Sequence, residues 1–277
     1  MSNSIAIIAG AGRFPFYVAR AAKRRGLGVV VAGIEGWVDR LLADEADVYE
    51  ELAVGQLQQL VEYLKAHQIR QAIMAGKVTK DVLLDPRTVF DQEALNVLRH
   101  VREMSVPVLL GAIGSRLAHE GVTLLDSSTF LQDDLCPPGV LTAKAPSPSE
   151  QRDIEVGLQA ARALAAQDIG QTVIVKARVV VAVEALEGTD AAIRRAHGLA
   201  GSGGVIVKVA ASNQDRRFDL PVVGPETMKV LRETGAACLA VEAGVTLLLD
   251  RLSLIAEANQ AAISLVGLTP SNSPKGL

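Results

Sequence analysis

Short apolar runs alternate along this chain with stretches in which apolar positions recur every three or four residues. Residues 5–9 form a run of the first kind, pass through Gly10-Ala11-Gly12, and give way to an apolar and basic helical pattern over 14–25 that Gly26 is placed to end. Residues 29–31 read as a second strand. Leu57, Leu60, Val61 and Leu64 mark a helix over 56–67, and residues 72–74 a strand leading into Gly76-Lys77. Helical spacing returns over 92–104 and 108–120, with a strand at 122–125. Buried strands alternating with amphipathic helices predict βαβ units and a parallel sheet.

Pro137, Pro138, Gly139, Pro146 and Pro148 interrupt the pattern and predict an inter-domain connection. Ser149 and Glu150 then read as the cap of a long helix reaching about residue 167. The alternation resumes with a β-branched strand region over 172–183, a helix over 189–200, a strand over 205–209 and a helix over 225–234 with Pro225 in its first turn. Strands at 237–241 and 246–249, a helix over 252–261 and a strand at 263–266 complete it, with a frayed tail from 271. The fold class expected is therefore α/β: a Rossmann-like parallel-sheet domain over 1–135, a Pro-rich linker over 136–148, and a second α/β domain over 149–270.

Composition narrows the function. A 277-residue chain that is 49% apolar can bury a large core. The net charge of −3 and 3% aromatic content supply neither the attraction nor the stacking platforms that nucleic acid requires. Cys136 and Cys238, the two cysteines, make no disulfide or zinc framework. The first residues lack a signal-peptide pattern, and no apolar run approaches the roughly 18 residues of a membrane span. A soluble, cytoplasmic protein is expected.

Several stretches are candidates for chemistry. Gly10 and Gly12, between a strand and a helix, resemble the opening of a dinucleotide-binding turn, where a helix amino terminus favours anions. Pro15 holds the place of the third glycine, so the alternative reading is an NAD(P)-linked or non-catalytic dinucleotide-binding protein. Lys77 at a strand end is a phosphate candidate, without the spacing of a nucleotide-triphosphate loop. Glu184 and Glu242 end apolar strands in matching Ala-Val-Glu-Ala sequences, and Glu187 follows the first. Thr189 reads as a helix N-cap and Asp190 as a first-turn acid suited to the helix dipole. The densest stretch is Gln214-Asp215-Arg216-Arg217-Phe218-Asp219-Leu220. If extended, it puts Asp215, Arg217 and Asp219 on one face, with the two acids roughly 13 Å apart. One Mg²⁺ needs oxygens at about 2.0–2.1 Å, so Asp219 would need Glu184, Glu187 or Glu242 beside it. The four histidines have no metal-ligand spacing, and no serine-hydrolase elbow is present.

IIAGAGRFP, GKVTK, VVVAVEALEGTD, GGVIVKVAASNQDRRFDLPVVG and CLAVEAGVTLLLD together resemble the LpxI-type UDP-2,3-diacylglucosamine diphosphatases of lipid A biosynthesis. The resemblance covers about residues 5–267. It implies a cytoplasmic, two-domain hydrolase that converts UDP-2,3-diacylglucosamine to 2,3-diacylglucosamine 1-phosphate (lipid X) and UMP with Mg²⁺. An essential aspartate of the family matches Asp219, with Asp215 as second choice. Relatives tend to carry Lys-Pro where this chain has Ala211-Ser212-Asn213, which leaves Lys208, Arg216 and Arg217 to neutralise the diphosphate. Gly10, Gly12, Lys77 and Thr189 complete the expected substrate contacts, and Asp219, Glu184, Glu187 and Glu242 the expected metal set. The partner expected is the lipid-linked UDP-sugar, with peripheral contact to the cytoplasmic membrane face and self-association allowed.

Overall fold

The computed structural model describes residues 3–78, 88–100, 106–210, 215–218 and 220–269. The chain divides into two compact units, one made of Met1–Leu131 with Asp215–Asp219, the other of Gln132–Gln214 with Leu220–Leu277. Both are α/β.

In the first unit, β1 (Ser4–Ala9), β2 (Gly28–Ile34), β3 (Val48–Leu52), β4 (Gln71–Ala75) and β5 (Thr123–Leu124) form a parallel sheet in the order β3-β2-β1-β4-β5. The helices are α1 (Phe14–Arg24), α2 (Leu57–Ala66), α3 (Gln92–His100) and α4 (Val106–His119). Continuous apolar runs in β1 and β2 suit strands buried on both faces. Lys23 and Arg24 in the last turn of α1 complement its dipole, and Gly26 follows with φ +74°. One face of the sheet packs Ile8, Ala32 and Ala72 against Leu60, Leu64 and Leu117. Tyr63 reaches through this core to donate to Val31 O at 2.9 Å, and burial pushes its phenol up to about 12. β3 escapes the apolar pattern because it is an edge strand carrying Glu50 and Glu51, with Leu52 its one buried residue.

The second unit holds β6 (Gly139–Val140), α5 (Pro148–Ala166), β7 (Thr172–Lys176), β8 (Val179–Val183), α6 (Thr189–Ala200), β9 (Val205–Lys208), β10 (Val222–Val223), α7 (Pro225–Glu233), β11 (Cys238–Glu242), β12 (Leu247–Leu248), α8 (Arg251–Gln260) and β13 (Ser264–Leu268). Its six-stranded sheet runs β6-β13-β11-β9-β7-β8, parallel through β13, β11 and β9 and antiparallel at β6, β7 and β8. β10 and β12 pair separately. Period-two alternation distributes the core. Val205 and Val207 of β9 pack toward Ile154, Leu158 and Ala161 of α5, while Ile206 packs on the opposite face with Ile193, Leu231 and Leu254 of α6, α7 and α8. Gly157 permits the close approach of α5, since a Cβ there would lie 2.5 Å from Val207 Cγ2. Cys136 and Cys238 are free and buried, and burial pushes both thiols up to about 12.

Three expectations are corrected. The Pro-rich stretch over 136–148 is built into the second unit rather than linking two domains: β6 pairs with β13, Cys136 N donates to Thr246 O at 2.8 Å, and Leu141 N donates to Leu265 O at 2.8 Å. The absence of a side chain at Gly267 lets Pro137 O lie against it. The long helix starts one turn-residue pair earlier than expected, capped by Ser147, which accepts from Glu150 N while Glu150 accepts from Ser147 N, with Pro148 in the first turn. Finally, the β-branched region over 172–183 is a hairpin. It turns at Ala177 and Arg178, with φ of 53° and 65°, where no glycine or asparagine announces it.

Asp153 of α5 holds that turn. Its side chain is buried, and its oxygens accept from Ala177 N at 3.1 Å and Arg178 N at 2.6 Å. Asp153→Ala should lower stability by about 1–3 kcal/mol, because two amides committed to a left-handed turn lose their acceptor. Urea unfolding monitored by circular dichroism measures this, and an unchanged midpoint would show that the turn holds itself.

Candidate active site

In the first sheet the strand order reverses direction between β1 and β4, and ligands of open α/β sheets gather at the carboxyl ends beside such a point. The two loops leaving these strands are sewn together by their backbones. Gly10 N donates to Ala75 O at 2.8 Å, and Ala11 and Lys77 exchange N–H···O bonds of 2.9 Å in both directions. A Cβ on Gly10 would lie 2.7 Å from Lys77 O, and one on Gly76, at φ +93°, 2.7 Å from the Gly10 carbonyl carbon. These two glycines are explained by the seam. Gly12 differs: it has φ +92° and nothing within 4 Å of the missing side chain, at the approach to α1. The Lys77 side chain is exposed on the same edge, and Arg13, at the N-cap of α1, stacks over Phe16 at 4.5 Å.

A second loop, Asp126-Ser127-Ser128-Thr129, leaves β5 and receives the segment 215–218. That segment is a turn, closed by Phe218 N donating to Asp215 O at 3.0 Å, so the alternation considered for an extended run does not apply over 215–218. Its shape comes from distant partners. Arg216 Nε lies 2.9 Å from Asp126 Oδ2, and Arg216 Nη2 donates to Ser128 Oγ at 3.0 Å. Ser127 N donates to Arg216 O at 2.9 Å. Phe218 packs on the first unit's core, close enough that a Cβ on Gly114 of α4 would meet its ring at 3.1 Å. The Asp215 carboxylate grips Arg217, accepting from Nη2 at 2.6 Å, from Nε at 2.9 Å and from the backbone N at 3.1 Å. Hydrogen bonding from Arg217 holds the Asp215 carboxyl below the usual carboxylate range. Arg217 also stacks over the Phe218 ring at 4.9 Å. Gly10, Gly12, Lys77, Asp215, Arg216 and Arg217 thus share the first unit, while Asp219 lies outside the described residues. Asp126, Ser127, Ser128 and the anchoring role of Phe218 escape the sequence reading, because an Asp-Ser-Ser-Thr string after a strand looks like an ordinary turn.

The remaining candidates lie in the second unit. Lys208 is buried at the end of β9, donating to Thr189 Oγ1 at 2.9 Å and Thr172 Oγ1 at 3.3 Å. Thr189 donates to Glu184 Oε1 at 2.8 Å, and Glu184 Oε2 lies 3.9 Å from Lys208 Nζ. Burial pushes the Glu184 carboxyl up, but the Lys208 charge, the Thr172 and Thr189 hydroxyls and the backbone at Gln171 outweigh it and hold the carboxyl below its usual range. Thr189 is not the cap of α6: Gly188 occupies that position with φ 83°, and the threonine hydroxyl serves this cluster instead. Asp190 accepts from Thr227 Oγ1 at 2.9 Å.

Each of the glutamates nominated for a metal has a cation of its own. Glu187 pairs with Arg195 Nη2 at 2.5 Å, and Glu242 accepts from Arg162 Nη2 at 3.0 Å and from Ala210 N at 2.9 Å. Among the described residues no group of three or more His, Cys, Asp or Glu side chains is placed to hold a metal ion. Glu184, Glu187 and Glu242 therefore do not fit a shared Mg²⁺ cage. No helix among the described residues is long and apolar enough to cross a membrane.

Comparison with known proteins gives one consistent answer. A family model described as the LpxI N-terminal domain matches residues 4–134, and one described as the LpxI C-terminal domain matches 137–266. The UDP-2,3-diacylglucosamine pyrophosphatase LpxI of Caulobacter vibrioides is 28% identical over 285 residues, covering 98% of this chain and 100% of that protein.

Proposed function

Because this chain belongs to the LpxI family, we propose that it hydrolyses the diphosphate of UDP-2,3-diacylglucosamine to 2,3-diacylglucosamine 1-phosphate and UMP, a step of lipid A biosynthesis. The observation that carries the reading is the end-to-end relationship with a protein named for that pyrophosphatase activity. The cation-bearing carboxyl edge of the first sheet supports it.

In this hydrolysis the water oxygen bonds to one phosphorus, the bridging P–O bond breaks, and the departing phosphate oxygen keeps the electron pair. Charge on the phosphoryl oxygens is what the site must meet. Arg217 is pre-oriented for that by Asp215, which takes its Nε and Nη2; Nη1 has no partner among the described residues. Lys77 and the Gly12 turn offer a second cation and a helix amino terminus. Lys208, satisfied by two threonines and facing Glu184, acts as an internal strut and not as a ligand of the diphosphate. Asp219 is the acid proposed to orient the water.

Mg²⁺ dependence belongs to the same proposal. An ion that arrives on the diphosphate needs only one or two protein carboxylates, and Asp219 is the acid proposed to supply one. Placement in the cytoplasm, peripheral contact with the membrane through the acyl chains of the substrate, and self-association are proposed with it. The dinucleotide reading is not favoured, since Gly10 is accounted for by the backbone seam and Pro15 replaces the third glycine.

The test is UMP release from UDP-2,3-diacylglucosamine by the purified chain, with Mg²⁺ and with a chelator, beside a titration with NAD(P)H. Mg²⁺-dependent UMP release is expected. Tight NAD(P)H binding without UMP release would favour the alternative.

A further inference from the structure

Ser127 is 2% exposed, so its hydroxyl is closed to any ligand, yet it has two acceptors. Oγ lies 2.9 Å from Met74 O at the end of β4 and 3.0 Å from Arg217 O. One hydroxyl proton serves both carbonyls. The same residue donates its backbone N–H to Arg216 O at 2.9 Å. Ser127 therefore holds two successive carbonyls of the segment 215–218 and ties them to the carboxyl end of the sheet. The next residue, Phe218, is pinned in the core beside Gly114. Arg216, Arg217 and Phe218 are thus fixed one after another.

We propose that Ser127 is a positioning residue for the hydrolysis: its hydroxyl sets the orientation of the Arg217–Phe218 peptide, and through it the placement of the Arg217 guanidinium that is to meet the phosphoryl oxygens. This rests on the function proposed above. A group that acts only on geometry should alter turnover more than binding, because a misplacement of about 1 Å at a reacting centre can lower rates about 100-fold while uniform substrate contacts persist. Were Ser127 merely structural, the loss would appear in thermal stability and not in this split.

The experiment is steady-state UMP release by the full chain and by Ser127→Ala, with kcat, KM and Tm measured for both. The expected result is a fall in kcat of about 10- to 100-fold with KM within about twofold of the parent. Ser127→Cys keeps the shape with a far weaker donor and gives the same split if the alanine variant does not fold. An active parent enzyme with a variant kcat within about twofold, or with the loss confined to KM, overturns this inference alone. A parent chain that releases no UMP overturns the proposed function and this inference with it.

Discussion

Asp219→Asn should reduce UMP release by about 100-fold or more while leaving the unfolding midpoint where it was. Asparagine matches aspartate in shape, so packing is kept, but it cannot carry the negative charge that orients or activates water; general-base and electrostatic contributions of this kind are each worth about 100- to 1,000-fold. Asp215 supplies the contrast. Its carboxylate is already taken by Arg217 through three hydrogen bonds, so Asp215→Asn should weaken the hold on that guanidinium and cut activity less than the change at Asp219. Steady-state assays on both variants decide the assignment. If Asp215→Asn is the more damaging, the two acids exchange roles, and if Asp219→Asn keeps parent activity, Asp219 leaves the mechanism.

Lys208→Met should destabilise the second unit by about 3–5 kcal/mol at neutral pH, because it strands a buried carboxylate without its cation. Glu184 is 14% exposed and has Oε2 without a hydrogen-bond donor among the described residues, so Lys208 is its compensation. The pH dependence has a definite sign. In the parent, Glu184 is held below its usual range, so its contribution is complete above the unfolded carboxylate value of about 4.3 and is lost as pH falls through the folded value. In Lys208→Met the largest influence, burial, is opposed only by the hydrogen bonds from Thr172, Thr189 and the backbone at Gln171, so the carboxyl rises relative to the parent and protonation relieves the variant. The difference in stability between the two proteins should therefore shrink from pH 7 toward pH 4. Adding Glu184→Gln should recover most of the loss at pH 7. Urea unfolding across that range measures it, and a gap independent of pH would show that lost packing, not stranded charge, is responsible.

How far residues could be read from sequence follows from how local their causes are. The helices α1, α2, α6 and α7 and the strands β1, β9 and β11 are legible because each carries its own periodicity and end signals, such as Gly26 or Pro225. β3, β6 and β10 are not: β3 and β6 are edge strands with exposed residues, and β10, two residues long, is too short to show a period. The hairpin at Ala177-Arg178 is illegible for another reason: a carboxylate from α5, not the turn residues, stabilises it. The functional stretch shows both sides. Its charges mark it in the sequence, but its shape is set by Asp126, Ser127 and Gly114, far away in the chain, so whether 215–218 is extended or turned is not written locally. Lys208 is the converse case, a lysine nominated for the diphosphate by the family resemblance, whose buried surroundings, Thr172, Thr189 and Glu184, no local sequence signal shows.

The most direct test of the central claim is phosphorus NMR of UDP-2,3-diacylglucosamine incubated with the purified chain and Mg²⁺. The account predicts loss of the diphosphate signals with equal growth of UMP and of the sugar 1-phosphate. Release of UDP, which reports cleavage of the sugar–oxygen bond instead of the anhydride, or persistence of the intact diphosphate, would contradict it.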